Sequence, residues 1–256
     1  MSADPQGTFA TTRWSLVLRA AQEASLPAGA REALEELCAT AWFPLFTYLR
    51  RRGRDAEQAR DLVQGFFASL LERGDLARLD PARGRFRSFL LTALEHFASN
   101  QGARARTRRR GGDRRTLSLD AVSAEERYAL EPADHRTSEH AFERTWARAL
   151  LDRAYAALEG EYERRGKLDL FRVLSPCLGG DLEAQPYAEI AAELDATPGA
   201  VKVAVHRLRA RFRKLLRTEI AHTLPDASQE GGEDPVEAEI RHLFEALAPR
   251  KPGEGR

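Results

Sequence analysis

The chain has 256 residues, 43% of them hydrophobic and 31% charged, with a formal net charge of +1 at pH 7. That balance fits a soluble globular protein with one large core or two modest ones, and the near-neutral total excludes a uniformly basic nucleic-acid binder. No apolar run reaches the roughly 20 residues that cross a bilayer, and the start, MSADPQGTFATTRW, lacks the features of a secretory signal, so a cytoplasmic protein without a membrane span is expected.

Nearly every periodic stretch has the helical period and alternating strand patterns are scarce, which predicts an all-α chain. Helices are expected over Thr12 to Ala24, Ala30 to Arg51 and Ala56 to Arg73. The third buries Ala59, Leu62, Val63, Phe66, Phe67, Leu70 and Leu71 and shows Glu57, Arg60, Asp61 and Gln64 on its other side. A fourth, Arg85 to Arg106, carries Phe86, Phe89, Leu90, Ala93, Leu94 and Phe97, and periodicity assigns Phe86 and Phe97 to the core. Ten arginines between Arg83 and Arg115 face only Glu95 and Asp113, a local field that the neutral total conceals. Residues 108–139 have no sustained stripe and read as a linker with one short helix.

Beyond the linker, helices are expected over Ala141 to Glu163, Leu168 to Cys177, Tyr187 to Leu194 and Pro198 to His222. This divides the chain into helical domains over 1–110 and 141–222, a linker over 111–140, and a flexible tail over 223–256. The tail carries a short amphipathic helix whose stripe is Val236, Ile240, Leu243, Phe244 and Leu247. Cys38 and Cys177 lie far apart with no metal-ligand spacing, so each is expected as a small buried hydrophobe, with no disulfide and no metal.

Two helices joined by three or four residues stand out. In Tyr187 to Leu194 the inward positions are Ile190, Ala191 and Leu194; in the next helix they are Val201, Val205, Leu208, Phe212 and Leu215. Thr197 is a good N-cap and Pro198 sits where a missing N–H costs nothing, so the second helix has a well-specified start. Together they make a helix-turn-helix, with Gly199, Lys202, Val203, His206, Arg207 and Arg209 on or beside its open face. A solvated basic face is the plain alternative; small residues at the helix start followed by cations favour entry into a DNA groove. Asp195 stands where such turns usually place glycine and would adopt the left-handed conformation at some cost.

The stretches DAEQARDLVQGFFASLLE, FRSFLLTALEHFASNQGARARTRRR and PYAEIAAELDATPGAVKVAVHRLRARFRKLL resemble regions 2 and 4 of sigma-70-type RNA polymerase sigma factors of the extracytoplasmic-function group. The resemblance covers most of residues 30–106 and 141–217, and it implies a region 2-like bundle and a region 4-like helix-turn-helix. It assigns Asp61 and Gln64, flanked by Glu57 and Arg60, to the clamp helices of the polymerase largest subunit, with Gly65 where the family commonly has glutamate. Phe89 takes the place of a usual tryptophan and His96 that of a frequent asparagine near an extruded promoter base. The loop Asp75 to Ser88 would form the base pocket, with Arg83, Arg85 and Arg87 near phosphates and Arg104 and Arg106 suited to the duplex backbone. The resemblance further assigns Lys202, Val203, His206 and Arg207, with Thr197, Gly199 and Arg209 beside them, to the upstream promoter element in the major groove.

The implied partners are core RNA polymerase, through its clamp helices and flap, and promoter DNA both duplex and melted; an anti-sigma factor or a regulatory kinase is a further candidate. Neither a catalytic activity nor a cofactor is expected: no H-E-x-x-H, paired C-x-x-C or phosphate-cradling glycine loop occurs, and the six histidines are scattered. The competing reading is a stand-alone dimeric helix-turn-helix regulator, with the Val236 to Leu247 helix as its dimer surface.

Overall fold

A computed structural model describes residues 12–20, 27–72, 85–105, 121–131, 137–179, 187–225 and 234–248. Every regular element among them is helical, so the protein is all-α. The helices are α1 (Arg13–Ala20), α2 (Ala28–Arg51), α3 (Ala56–Glu72), α4 (Phe86–Ala105), α5 (Ala121–Ala129), α6 (Ser138–Arg164), α7 (Leu168–Leu174), α8 (Tyr187–Glu193), α9 (Pro198–Ala221) and α10 (Pro235–Leu247), with a 3-10 turn at Ser175–Leu178. Among the described residues no helix is long and apolar enough to cross a membrane. Two compact units result: Met1–Ala149 with Ala221–Arg256, and Leu150–Ile220.

In the first unit α1 packs on α2, α2 on α3 and α3 on α4. α2 buries Leu34, Leu37, Cys38, Ala41, Trp42, Leu45, Phe46 and Leu49 along one stripe, with the Trp42 and Phe46 rings stacked at 5.3 Å. α3 begins where Asp55 Oδ1 accepts the Gln58 N–H at 2.8 Å, a side-chain cap on one of the helix's orphan donors. Ala59, Val63, Phe66, Phe67 and Leu70 on α3 meet a core that also holds Phe86, Leu90 and Leu94 of α4.

The unit extends beyond the expected 1–110. The first turns of α6 belong to it: Phe142 and Trp146 are fully buried, and Trp146 lies 6.1 Å from Phe86. Residues 121–131, expected within the linker, pack as well. Glu125 pairs with Arg50 at 2.8 Å, Tyr128 sets its edge against Phe46, and Arg127 lies over the Phe43 ring at 4.2 Å. Glu131 is buried between Arg144 and Arg148, at 2.9 and 2.8 Å. Charged side chains with fixed partners, rather than an apolar stripe, hold this segment, which is why periodicity assigned it to a linker.

The tail helix differs from expectation too. α10 starts at a cap in which Asp234 Oδ1 accepts the Val236 N–H, and it buries Glu239, Leu243 and Ala246, with Val236, Ile240 and Leu247 half-buried. Phe244, expected on the stripe, is 53% exposed. The inward face is thus rotated toward a carboxylate.

The second unit is built around Leu158, Phe171, Leu174, Cys177, Ile190, Ala191, Val201, Val205 and Leu208. α6 ends with Gly166 at φ 65°, the Lys167 N–H reaching Tyr162 O at 2.9 Å and the Gly166 N–H reaching Glu163 O at 2.8 Å. That is a Schellman turn, which needs a residue without strain in the left-handed region. It lets α7 fold back and set Phe171, Leu174 and Cys177 under α8 and α9. The stretch after Glu159 supplies Phe171, Leu174 and Cys177 of this core.

Candidate nucleic-acid interface

The turn between α8 and α9 repeats the Schellman pattern. The Ala196 N–H donates to Ala191 O at 2.9 Å and the Asp195 N–H to Ala192 O at 3.4 Å, with Asp195 at φ 47°. Among the described residues Asp195 is the one non-glycine with positive φ, as its place in the turn suggested. Thr197 Oγ1 then accepts the Ala200 N–H at 3.2 Å and Thr197 O the Val201 N–H at 3.0 Å, which starts α9.

With Val201, Val205 and Leu208 at 1% exposure or less, the opposite face of α9 is open: Gly199, Lys202, Val203, His206 and Arg207 are all exposed, Val203 at 50%. Arg213 and Lys214, not singled out from the sequence, continue this face and are exposed. They follow Lys202 at 11 and 12 residues, close to three helical turns, so the period could have found them. The buried row continues at Leu216 and Ile220, while Phe212 and Leu215 are only partly buried. α9 carries no acidic residue before Glu219, and Glu219 is paired with Arg153 at 2.8 Å.

Arg209 departs from the expectation. Its Nε donates to Cys177 O at 2.8 Å and the residue is half-buried, because a guanidinium here can satisfy a carbonyl at the end of the 3-10 turn. It braces α9 rather than lying open. Arg211 likewise donates through Nε to Glu161 Oε2 at 2.8 Å. The hydrogen bond from Arg211 holds the Glu161 carboxyl below its ordinary range and, reciprocally, raises the Arg211 guanidinium. Two cations thus fasten the helix, and Lys202, Arg207, Arg213 and Lys214 form its outward field.

In the first unit the candidate residues divide. Glu57 and Asp61 of α3 are exposed, Arg60 and Gln64 half-buried, and Gly65 buried. On α4, His96 is exposed and Phe89 half-buried. Beside His96, Glu95 accepts the Tyr48 hydroxyl at 2.5 Å; burial first, and then this bond, push that hydroxyl above its usual range. Arg83 and Arg106 lie outside the described residues, as does the side chain of Arg104.

Three of the candidate residues near the start of α4 already have partners within the chain. Phe89 has an aromatic partner already, its ring stacked on buried Trp14 at 5.5 Å and 29°. Arg87 is only 7% exposed: Nε donates to Glu239 Oε1 at 2.8 Å and Nη1 to Glu143 Oε1 at 2.7 Å. Arg85 Nε lies 2.9 Å from Glu239 Oε2. Both guanidinium groups are therefore neutralised within the chain. Arg87 stands at i, i+3 and i+7 with Leu90 and Leu94, on the buried stripe itself, so its burial follows from the period once the stripe is extended by one turn. His242 Nε2 completes the cluster, 3.0 Å from Glu143 Oε1.

No group of three or more histidine, cysteine or acidic side chains that could hold a metal occurs among the described residues. No family model, curated protein or solved structure matches the chain.

Proposed function

We propose that the protein is a sigma factor of the extracytoplasmic-function group, acting in the cytoplasm: it binds core RNA polymerase and carries it to promoters, without chemistry of its own. The observation that carries this reading is the open face of α9, where Lys202, Val203, His206 and Arg207 follow a capped helix start whose opposite side is fully buried. A groove-entering helix needs that combination of rigid support and unobstructed donors. One helix offers two or three base contacts worth about 1–3 kcal/mol each, below the roughly 4–10 kcal/mol that separates specific from non-specific binding. A second tethered contact is required, and the polymerase held through the exposed Glu57 and Asp61 face of α3 supplies it.

A stand-alone dimeric regulator is disfavoured by α10, the element best suited to a dimer surface, because Leu243 and Ala246 are buried against its own chain. Co-purification with core polymerase and run-off transcription from genomic fragments test the proposal. Retention on polymerase and discrete start sites are expected; operator binding without polymerase, and no initiation with it, would refute it.

A further inference from the structure

The C-terminal segment closes over the head of α4. The Phe86 N–H donates to Thr223 O at 3.1 Å, the Trp14 N–H to His222 O at 3.1 Å, and Thr12 Oγ1 to Leu224 O at 2.8 Å. α10 then brings Glu239, fully buried, against Arg85 and Arg87, which precede and enter the first turn of a 20-residue helix. Such a place attracts anions twice over, through the two guanidinium groups and through the N-terminal end of the helix dipole. The sequence adds Arg83 just before it.

The occupant is imperfectly held. Glu239 Oε1 takes an aligned hydrogen bond from Arg87, whereas Oε2, at ion-pair distance from Arg85, is buried without an aligned hydrogen bond from the described residues. A buried carboxylate oxygen in that condition has lost its hydration without full replacement, so the contact is weaker than its charges suggest. A phosphate offers arginine the same planar pair of acceptors as a carboxylate.

We propose that Glu239 is a built-in phosphate mimic: α10 and a nucleic-acid backbone compete for Arg85 and Arg87, so the tail helix lowers nucleic-acid affinity until it is displaced. This rests on the proposed function for the nature of the competing anion. It names a single carboxylate, Glu239, as the restraint on Arg85.

The test uses the full chain with a labelled 20-nucleotide single strand of mixed sequence, and separately a mixed-sequence duplex, titrated at several salt concentrations. Glu239→Gln should bind the single strand about tenfold more tightly, with a salt slope steeper by at least about 0.7, because Arg85 loses its carboxylate partner and engages a phosphate at about 0.7 per contact, while Arg87 keeps its bond to Glu143. The gain should vanish when Arg85→Ala and Arg87→Ala are added. Leu243→Ala, which loosens α10 while leaving every charge in place, carries the same expectation should Glu239→Gln not fold. Unchanged or weaker binding by either folded variant, or a gain that survives loss of both arginines, overturns the inference. If the chain still co-purifies with core polymerase and starts transcription, the proposed function stands and this inference alone fails; if it does neither, the proposed function fails with it.

Discussion

Phe171→Ala probes whether the stretch after α6 exists to support the helix-turn-helix. The ring is 1% exposed, 5.2 Å from Tyr155 and 5.4 Å from Tyr162, in the core shared with Ile190, Val201 and Val205. Truncating a buried phenylalanine costs about 3–5 kcal/mol through lost transfer energy and the cavity left behind. A domain holds about 5–15 kcal/mol in total, so the variant should remain folded at low temperature with much of its margin gone. Hydrogen exchange read on peptides from α8 and α9 measures this directly, since protection there reports the opening of the unit. Exchange should accelerate about 10²–10⁴-fold, and Phe171→Leu, which keeps most of the volume, should cost less than about 1.5 kcal/mol. Duplex affinity should fall in Phe171→Ala even though no residue on the open face of α9 has changed. Protection of α8 and α9 lowered by under about 1 kcal/mol would show that α7 is not what supports them.

Asp195→Gly should stabilise the second unit by about 0.5–1 kcal/mol, because a left-handed residue with a Cβ costs more than the entropy glycine loses; urea midpoints compare the two chains. Acidification should weaken the same unit through Glu161. Its folded pKa lies below the ordinary 4.5, so its contribution is complete above about pH 4.5 and is lost as pH falls through the lower folded value. Arg211→Gln should flatten that part of the urea midpoint's pH profile below about pH 4.5. Lys202→Ala should weaken promoter-duplex binding of the complex with core polymerase by about 1–3 kcal/mol in a sequence-dependent way, measured by anisotropy on preferred and scrambled sites. Lys214→Ala should instead weaken all sequences alike and reduce the salt slope by about 0.9.

The helix-turn-helix could be read in the sequence because each of its signals is local: the cap at Thr197, Pro198 at the first position, and the row Val201, Val205 and Leu208 all lie within one dozen residues. The buried face of α3 was legible for the same reason, with Leu62 and Leu71 left half-buried at its edges. Arg87 and Glu239 were not, because each gains its buried place from a partner 152 residues away, and a charged residue on an apolar stripe reads locally as an interruption. The stacking of Phe89 was hidden for a similar reason, since its partner Trp14 lies on α1, outside any window that includes α4. Residues 121–131 dock through charge pairs and cation–aromatic contacts, which leave no periodic trace. Local rules captured the elements; long-range pairing of polar groups decided which cations remained available.

Each unit carries one free, sequestered sulfhydryl: Cys38 on α2 at 2% exposure and Cys177 in the 3-10 turn at 5%. Desolvation keeps the Cys38 sulfur protonated well beyond neutral pH, which removes the reactive anion as long as α2 stays packed. An alkylating reagent must therefore wait for the surrounding helices to part, and its two modification rates time the breathing of the two units independently in unaltered protein. The chain comes with its own pair of chemical clocks, one on either side of the boundary within α6.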